Sequence, residues 1–178
     1  MTENDSAIWE LPRNDFHNCF GCSQNNQHGL KLRFWYTPDG CRSFYTIPSE
    51  YSGFSGIAHG GIIATMLDEV AAWTVIVHYL RLGITQNISI RYLKPVKTCT
   101  EILIEGKIIE NDDKSAKILS IISSNEGKVL AEAESNWLIP SYSTISQIMG
   151  VDKEAIEEEM NQFILPLQEF FNKKREKE

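Results

Sequence analysis

The chain has 178 residues, about one domain's worth and long enough to bury roughly 70 % of its unfolded surface around one core. Hydrophobic residues make up 42% and charged residues 23%, an ordinary globular balance that excludes a wholly disordered chain. Lys plus Arg number 17 against 24 Asp plus Glu, a net charge of −7, so no general attraction to nucleic acid or to anionic membrane lipid is expected. The cysteines, Cys19, Cys22, Cys41 and Cys99, are too few and too scattered for a disulfide scaffold. Met1–Asp5 is acidic and carries no secretory leader pattern. The most apolar stretch, Ile62 to Val77, contains Asp68 and Glu69 and so does not read as a membrane span. A soluble, cytoplasmic protein is the expectation.

Residues 1–28 are polar and turn-rich and read as a loosely structured lead-in. Lys31–Tyr36 and Arg42–Ile47 read as strands. Thr37-Pro38-Asp39-Gly40 between them carries hairpin chemistry, because proline pre-sets φ and glycine accepts positive φ. Tyr51–Gly61, with four glycines, reads as a loop. A helix is predicted from Gly61 to Leu82, with Gly83 as its stop. Four strands follow: Thr85–Leu93, Glu101–Ile109, Ser115–Ser123 and Lys128–Leu138. Alternation puts Ile88, Ile90 and Tyr92 on one face of the first and Asn87, Ser89 and Arg91 on the other. After Pro140 the pattern turns charged and helical from Asp152 to Glu178, with Pro166 expected to kink or split it. Short turns dictate antiparallel pairing. One early helix in such a sheet implies an α+β domain with the helix packed on one face. The division is 1–28 lead-in, 29–139 domain and 140–178 C-terminal helical extension.

The long helix does not read as a surface helix. Ile62, Ile63, Met66, Leu67, Val70, Trp73 and Val77 form one bulky arc, and Gly61, Ala64, Thr65, Asp68, Ala71, Ala72 and Val75 form a small one. A helix apolar almost all round is buried, here by a sheet curved around it with something else against the small arc. A carboxylate in that arc, Asp68, is costly unless paired or functional. It could equally pair structurally at a subunit contact. His59-Gly60-Gly61 opens the helix. Free amides at a helix start form a partly positive site able to hold a carbonyl oxygen as it becomes an oxyanion. His59 could orient a ligand there.

The run Ser55-Gly56-Ile57-Ala58-His59-Gly60-Gly61-Ile62-Ile63-Ala64-Thr65-Met66-Leu67-Asp68-Glu69 resembles the hotdog-fold thioesterases. The likeness is to the phenylacetic-acid-degradation-type acyl-CoA subfamily and its relatives acting on longer acyl chains. Cys19-Phe20-Gly21-Cys22, Gly29-Leu30-Lys31-Leu32 and Arg91-Tyr92-Leu93-Lys94-Pro95 add to it. The resemblance covers residues 17–139. It implies an antiparallel sheet wrapped around a central helix, a homodimer or a tetramer built from two dimers, and a site between the helix of one subunit and loops of the other. By the same resemblance Asp68 serves as general base or nucleophile, and the Gly61 amide, with Gly60 second, polarises a thioester carbonyl. His59 positions the substrate, and Thr85 is the nearest match to a hydroxyl on the following strand. Arg91 stands where relatives often carry Asn. Glu69 is the rival to Asp68 and lies about 100° around the helix. Thioester hydrolysis implies no metal and no cofactor, with coenzyme A arriving as part of the substrate.

The alternative is a non-catalytic acyl-CoA-binding module, favoured if Arg91 pairs with Asp68 and neutralises it. A dehydratase would need a histidine placed after the aspartate on a loop-helix motif, a pattern absent here. His17, Cys19, Cys22 and His28 form H-x-C-x2-C-x5-H, from which zinc ligands could be drawn. The cluster is shorter than the usual paired spacing, and an ordinary N-terminal cap with no metal is expected.

Overall fold

Alternating apolar residues between Asn-, Gly- and Pro-bearing turns build one antiparallel sheet, and the helix between its strands supplies the core. A computed structural model describes residues 8–13 and 18–175. In chain order these form β1 (Trp9–Glu10), β2 (Trp35–Thr37), β3 (Gly40–Thr46), β4 (Ser52–Phe54), β5 (Ile57–Ala58), α1 (Gly60–Tyr79), β6 (Ile84–Tyr92), β7 (Glu101–Asn111), β8 (Ser115–Ser124), β9 (Val129–Leu138), α2 (Tyr142–Met149) and α3 (Lys153–Arg175). Seven strands make the main sheet in the order β1-β2-β3-β7-β8-β9-β6, with every pairing antiparallel. The strand before α1 and the strand after it are therefore far apart, with three strands between β3 and β6. That wide crossing wraps the sheet around α1, which touches β3 and each of β6 to β9. This is the hotdog arrangement.

Met66, Leu67 and Val70 are fully buried against Ile102, Ile104 and Ile122 of the sheet. Ala71 and Val75 pack separately with Ile118 and Trp137. By length and composition alone α1 could cross a membrane, but its apolar side chains are spent on this core. Ala64, Thr65, Asp68 and Ala72 stay half-buried on the remaining arc. Phe34 stacks on Trp73 at 4.9 Å, and Phe163 of α3 meets Trp73 edge-on at 5.5 Å. The tail helix therefore caps the core with Ile156, Met160, Phe163, Ile164, Leu167 and Phe171 on its buried side.

Several boundaries differ from those expected. The lead-in is not loose where it is described: β1 joins the sheet, and Leu11, Cys22 and Ser23 are buried. Of Lys31–Tyr36, only the end pairs as a strand, while Leu32 and Phe34 are core residues. The glycine loop holds the short β4–β5 hairpin. α1 begins at Gly60 and ends at Tyr79, where Leu80 turns left-handed and its amide caps the Ile76 carbonyl. Gly83 is not that stop. A Cβ there would lie 2.8 Å from Val75 and 3.0 Å from Trp137, so glycine lets the chain enter β6 between α1 and β9. α2 was not anticipated. Pro166 does not split α3, because its missing amide removes one bond from a helix that packing holds. Residues 176–178 lie outside the described residues.

The sheet can close on α1 only where side chains are missing. A Cβ on Gly106 of β7 would stand 2.4 Å from Thr74 Oγ1 and 2.9 Å from the Val70 carbonyl oxygen. Gly106→Ala should lower stability by about 1–3 kcal/mol through overpacking, read as a fall in the denaturation midpoint with unchanged m-value.

Candidate active site

Asp68 sits at the middle of α1, and its Oδ1 accepts a hydrogen bond from Thr85 Oγ1 at 2.9 Å. Strict alternation along β6 would put Thr85 on the outer face with Asn87 and Arg91. A register shift between Thr85 and Asn87 prevents this. The bulge at Gln86 turns Thr85 onto the inner face shared by Ile88 and Ile90, toward the helix, the re-aiming that bulges provide. Burial pushes the Asp68 carboxyl up, and the Thr85 hydroxyl pulls it partly back. The small neighbours Ala64 and Ala72 leave the carboxylate open on one side.

The start of α1 is tied down from three sides. The His59 amide donates to the Tyr51 carbonyl at 2.9 Å, and the Ala58 amide to the Val96 carbonyl at 2.8 Å. Tyr92 Oη donates to the Gly60 carbonyl at 3.0 Å. Tyr92, absent from the expected site, thus fastens the end of β6 to the first residue of the helix, and only its aromatic type at a strand end hinted at this. His59 is the N-cap: its Nδ1 accepts from the Gly61 amide at 2.9 Å. A nitrogen that accepts carries no proton, so neutral His59 presents an Nε2–H donor outward. The Gly61 amide expected to hold a carbonyl is therefore engaged by the His59 ring.

Glu69 and Arg91 do not join Asp68. Glu69 points beneath the Cys19–Cys22 turn, with Cys19 Sγ 3.6 Å from each of its oxygens. Burial first, and the neighbouring Cys19 second, lift its carboxyl to about 7. The same contact helps hold the Cys19 thiol down near 5, behind the larger influence of its bond with Cys22. Arg91 lies on the outer face of β6 and pairs with Glu132, its cross-strand neighbour on β9. Among the described residues no cation pairs with Asp68. His17, one member of the compact Cys/His cluster, lies outside the described residues.

Seven residues separate Gly61 from Asp68, about 10 Å along a helix. Reacting atoms must approach within about 3–3.5 Å, so a carbonyl held at the helix start is out of reach of a water held by the same Asp68. A groove of about 650 Å³ lined by Tyr36, Asp39, His78 and Lys107 lies at the far end of α1 and does not include Asp68. The helix start and the Asp68–Thr85 pair are thus two separate polar features of one chain. Because the Thr85 hydroxyl bonds the charged form, Thr85→Val should raise the Asp68 pKa and carry its titration to higher pH. Carboxyl-carbon NMR on the two proteins checks this.

Residues 55–131 match the thioesterase superfamily model. The chain is 26% identical over 134 residues to verlamelin biosynthesis protein B of a Lecanicillium species, covering 59% of this chain. It spans 58% of that curated relative's length. Among solved structures it is similar to a hypothetical thioesterase protein with coenzyme A from Streptococcus pneumoniae TIGR4 (TM-score 0.58, 22% identity, 62% of this chain and 86% of that one). It is also similar to a Streptococcus mutans UA159 protein bound to acetyl CoA (TM-score 0.58, 20% identity, 62% and 89%). A third is a phenylacetic acid degradation-related putative thioesterase from Ralstonia eutropha JMP134 (TM-score 0.56, 19% identity, 62% and 86%). The resemblance to the hotdog-fold thioesterase superfamily is thereby borne out over residues 55–131.

Proposed function

We propose that the chain is an acyl-CoA thioesterase that works as a homodimer, hydrolysing a thioester to a free acid and coenzyme A. The observation that carries this reading is the Asp68 carboxylate, half-buried, hydrogen-bonded to Thr85 and not neutralised by Arg91. A carboxylate so held suits general base work on water. The coenzyme A and acetyl CoA bound to similar proteins support the substrate class.

The 10 Å between the half-sites supports catalysis across two chains, Asp68 and Thr85 of one meeting His59, Gly60 and Gly61 of the other. Among the described residues β6 ends the sheet with an unpaired edge, and Ile84, Tyr92 and the adjoining Leu93 are exposed. Such an edge invites pairing with another strand, and a second copy joined there would bring the two half-sites together. The thioester oxygen settles at the helix start on the Gly60 amide and His59 Nε2–H. It gains the Gly61 amide as it displaces His59 Nδ1. Asp68 takes a proton from the attacking water, the oxygen adds to the carbonyl carbon, and the C–S bond breaks. The thiolate is a good leaving group and recovers the proton from Asp68. The chemistry calls for no resident cofactor.

Free-thiol release from short, long and aromatic acyl-CoAs tests the reading. Wild-type turnover should fall at least about 10²-fold in Asp68→Asn, with the protein sedimenting as a dimer or tetramer. Acyl-CoA binding without turnover in the wild type would make it a binding module instead. Equal turnover in wild type and variant would remove Asp68 from the chemistry.

A further inference from the structure

A second cluster of ligating side chains lies behind the helix, away from the Asp68–Thr85 pair. Cys19 and Cys22 form a C-x2-C turn in the lead-in, and Glu69 reaches them from the core helix. The three ligand atoms lie within 4.8 Å of one another. Cys22 is only 5% exposed.

We propose that Cys19, Cys22 and Glu69 bind one zinc ion, joining the lead-in to the core helix. The first support is distance. For zinc with sulfur at about 2.3 Å and oxygen at about 2.1 Å, a tetrahedral angle puts the two ligand atoms about 3.6 Å apart. Cys19 Sγ stands 3.6 Å from each Glu69 oxygen, so either oxygen already stands at a tetrahedral edge. The second is the turn itself. The Gly21 amide donates to Cys19 Sγ at 3.3 Å, a bond that strengthens when the sulfur becomes a metal-bound thiolate. The third is the shape of the recess. A Cβ on Gly21 would lie 2.3 Å from Glu69 Oε2, so this glycine opens the space in which the carboxylate meets the two sulfurs. Two thiolates with one carboxylate suit zinc rather than magnesium or calcium, which prefer all-oxygen sites. A water fills the fourth position. Zinc binding releases to solvent whatever protons the ligand atoms still carry.

The proposal is independent of the thioesterase reading, and its test reads metal rather than activity. Reduced, metal-free full-length protein is titrated with zinc against a chromophoric chelator. One equivalent per chain is expected, bound at least tenfold more weakly by Cys22→Ser and by Glu69→Gln. Cys99→Ser, which changes an exposed thiol outside the cluster, should bind as the wild type does. Cobalt(II) on the wild type should give the absorption of tetrahedral thiolate coordination, a readout that does not depend on any variant folding. Less than one equivalent, affinity indifferent to both Cys22→Ser and Glu69→Gln, or a cobalt spectrum without thiolate bands would each overturn it. So would metal-free protein that forms a Cys19–Cys22 disulfide and takes up no zinc when reduced.

Discussion

The structure depends on how closely the sheet approaches its central helix. Gly106 puts the β7 backbone against Val70 and Thr74, and Gly40 leaves room for the Thr74 methyl from β3. Gly83 then lets the chain leave the helix and enter β6 directly beside Val75. With the helix so deep, its bulky arc is consumed by the core, and only the arc of small residues remains for anything else. Asp68 lies on that arc, beside the half-buried Ala64 and Ala72.

Two neighbouring carboxylates on one helix consequently meet two different environments. Asp68 faces a hydroxyl from the strand that follows the helix. Glu69, one residue on, faces a sulfur from the segment between β1 and β2. The pair divides the two sides of α1 between them, and the division follows from 100° per residue rather than from any difference in side-chain chemistry. Both carboxyls are lifted by burial, but Asp68 keeps the hydroxyl of Thr85 as its partner and small neighbours on its arc.

Much of this was legible in residue patterns. The buried helix showed in its lack of a polar face, the strand sequence in alternation and turns, and the place of Asp68 on the small-residue arc in its neighbours Ala64 and Ala72. What escaped were effects of tertiary geometry on local rules. The face that Thr85 takes was not legible, because a one-residue bulge leaves no compositional mark. Gly83 looked like a helix stop because glycine has two uses, and steric passage was the one in force. The Gly61 amide looked free because a histidine cap is unusual beside the Ser, Thr, Asp and Asn that normally fill that position. The folding of residues 8–13 and 18–28 onto the body was missed because their polar composition hid a few anchors, Leu11 and Cys22 among them.

The far ends of the described chain meet. Trp9 stacks on Tyr36 at 5.3 Å, Phe170 approaches Trp9 edge-on at 6.4 Å, and the Lys174 ammonium lies 5.3 Å above the Trp9 ring. A contact between residues this distant in sequence closes the longest loop available and repays its entropy only after the sheet and α1 have formed. The clasp therefore ties lead-in and tail to one another across the core, so that trimming either end removes a contact from both.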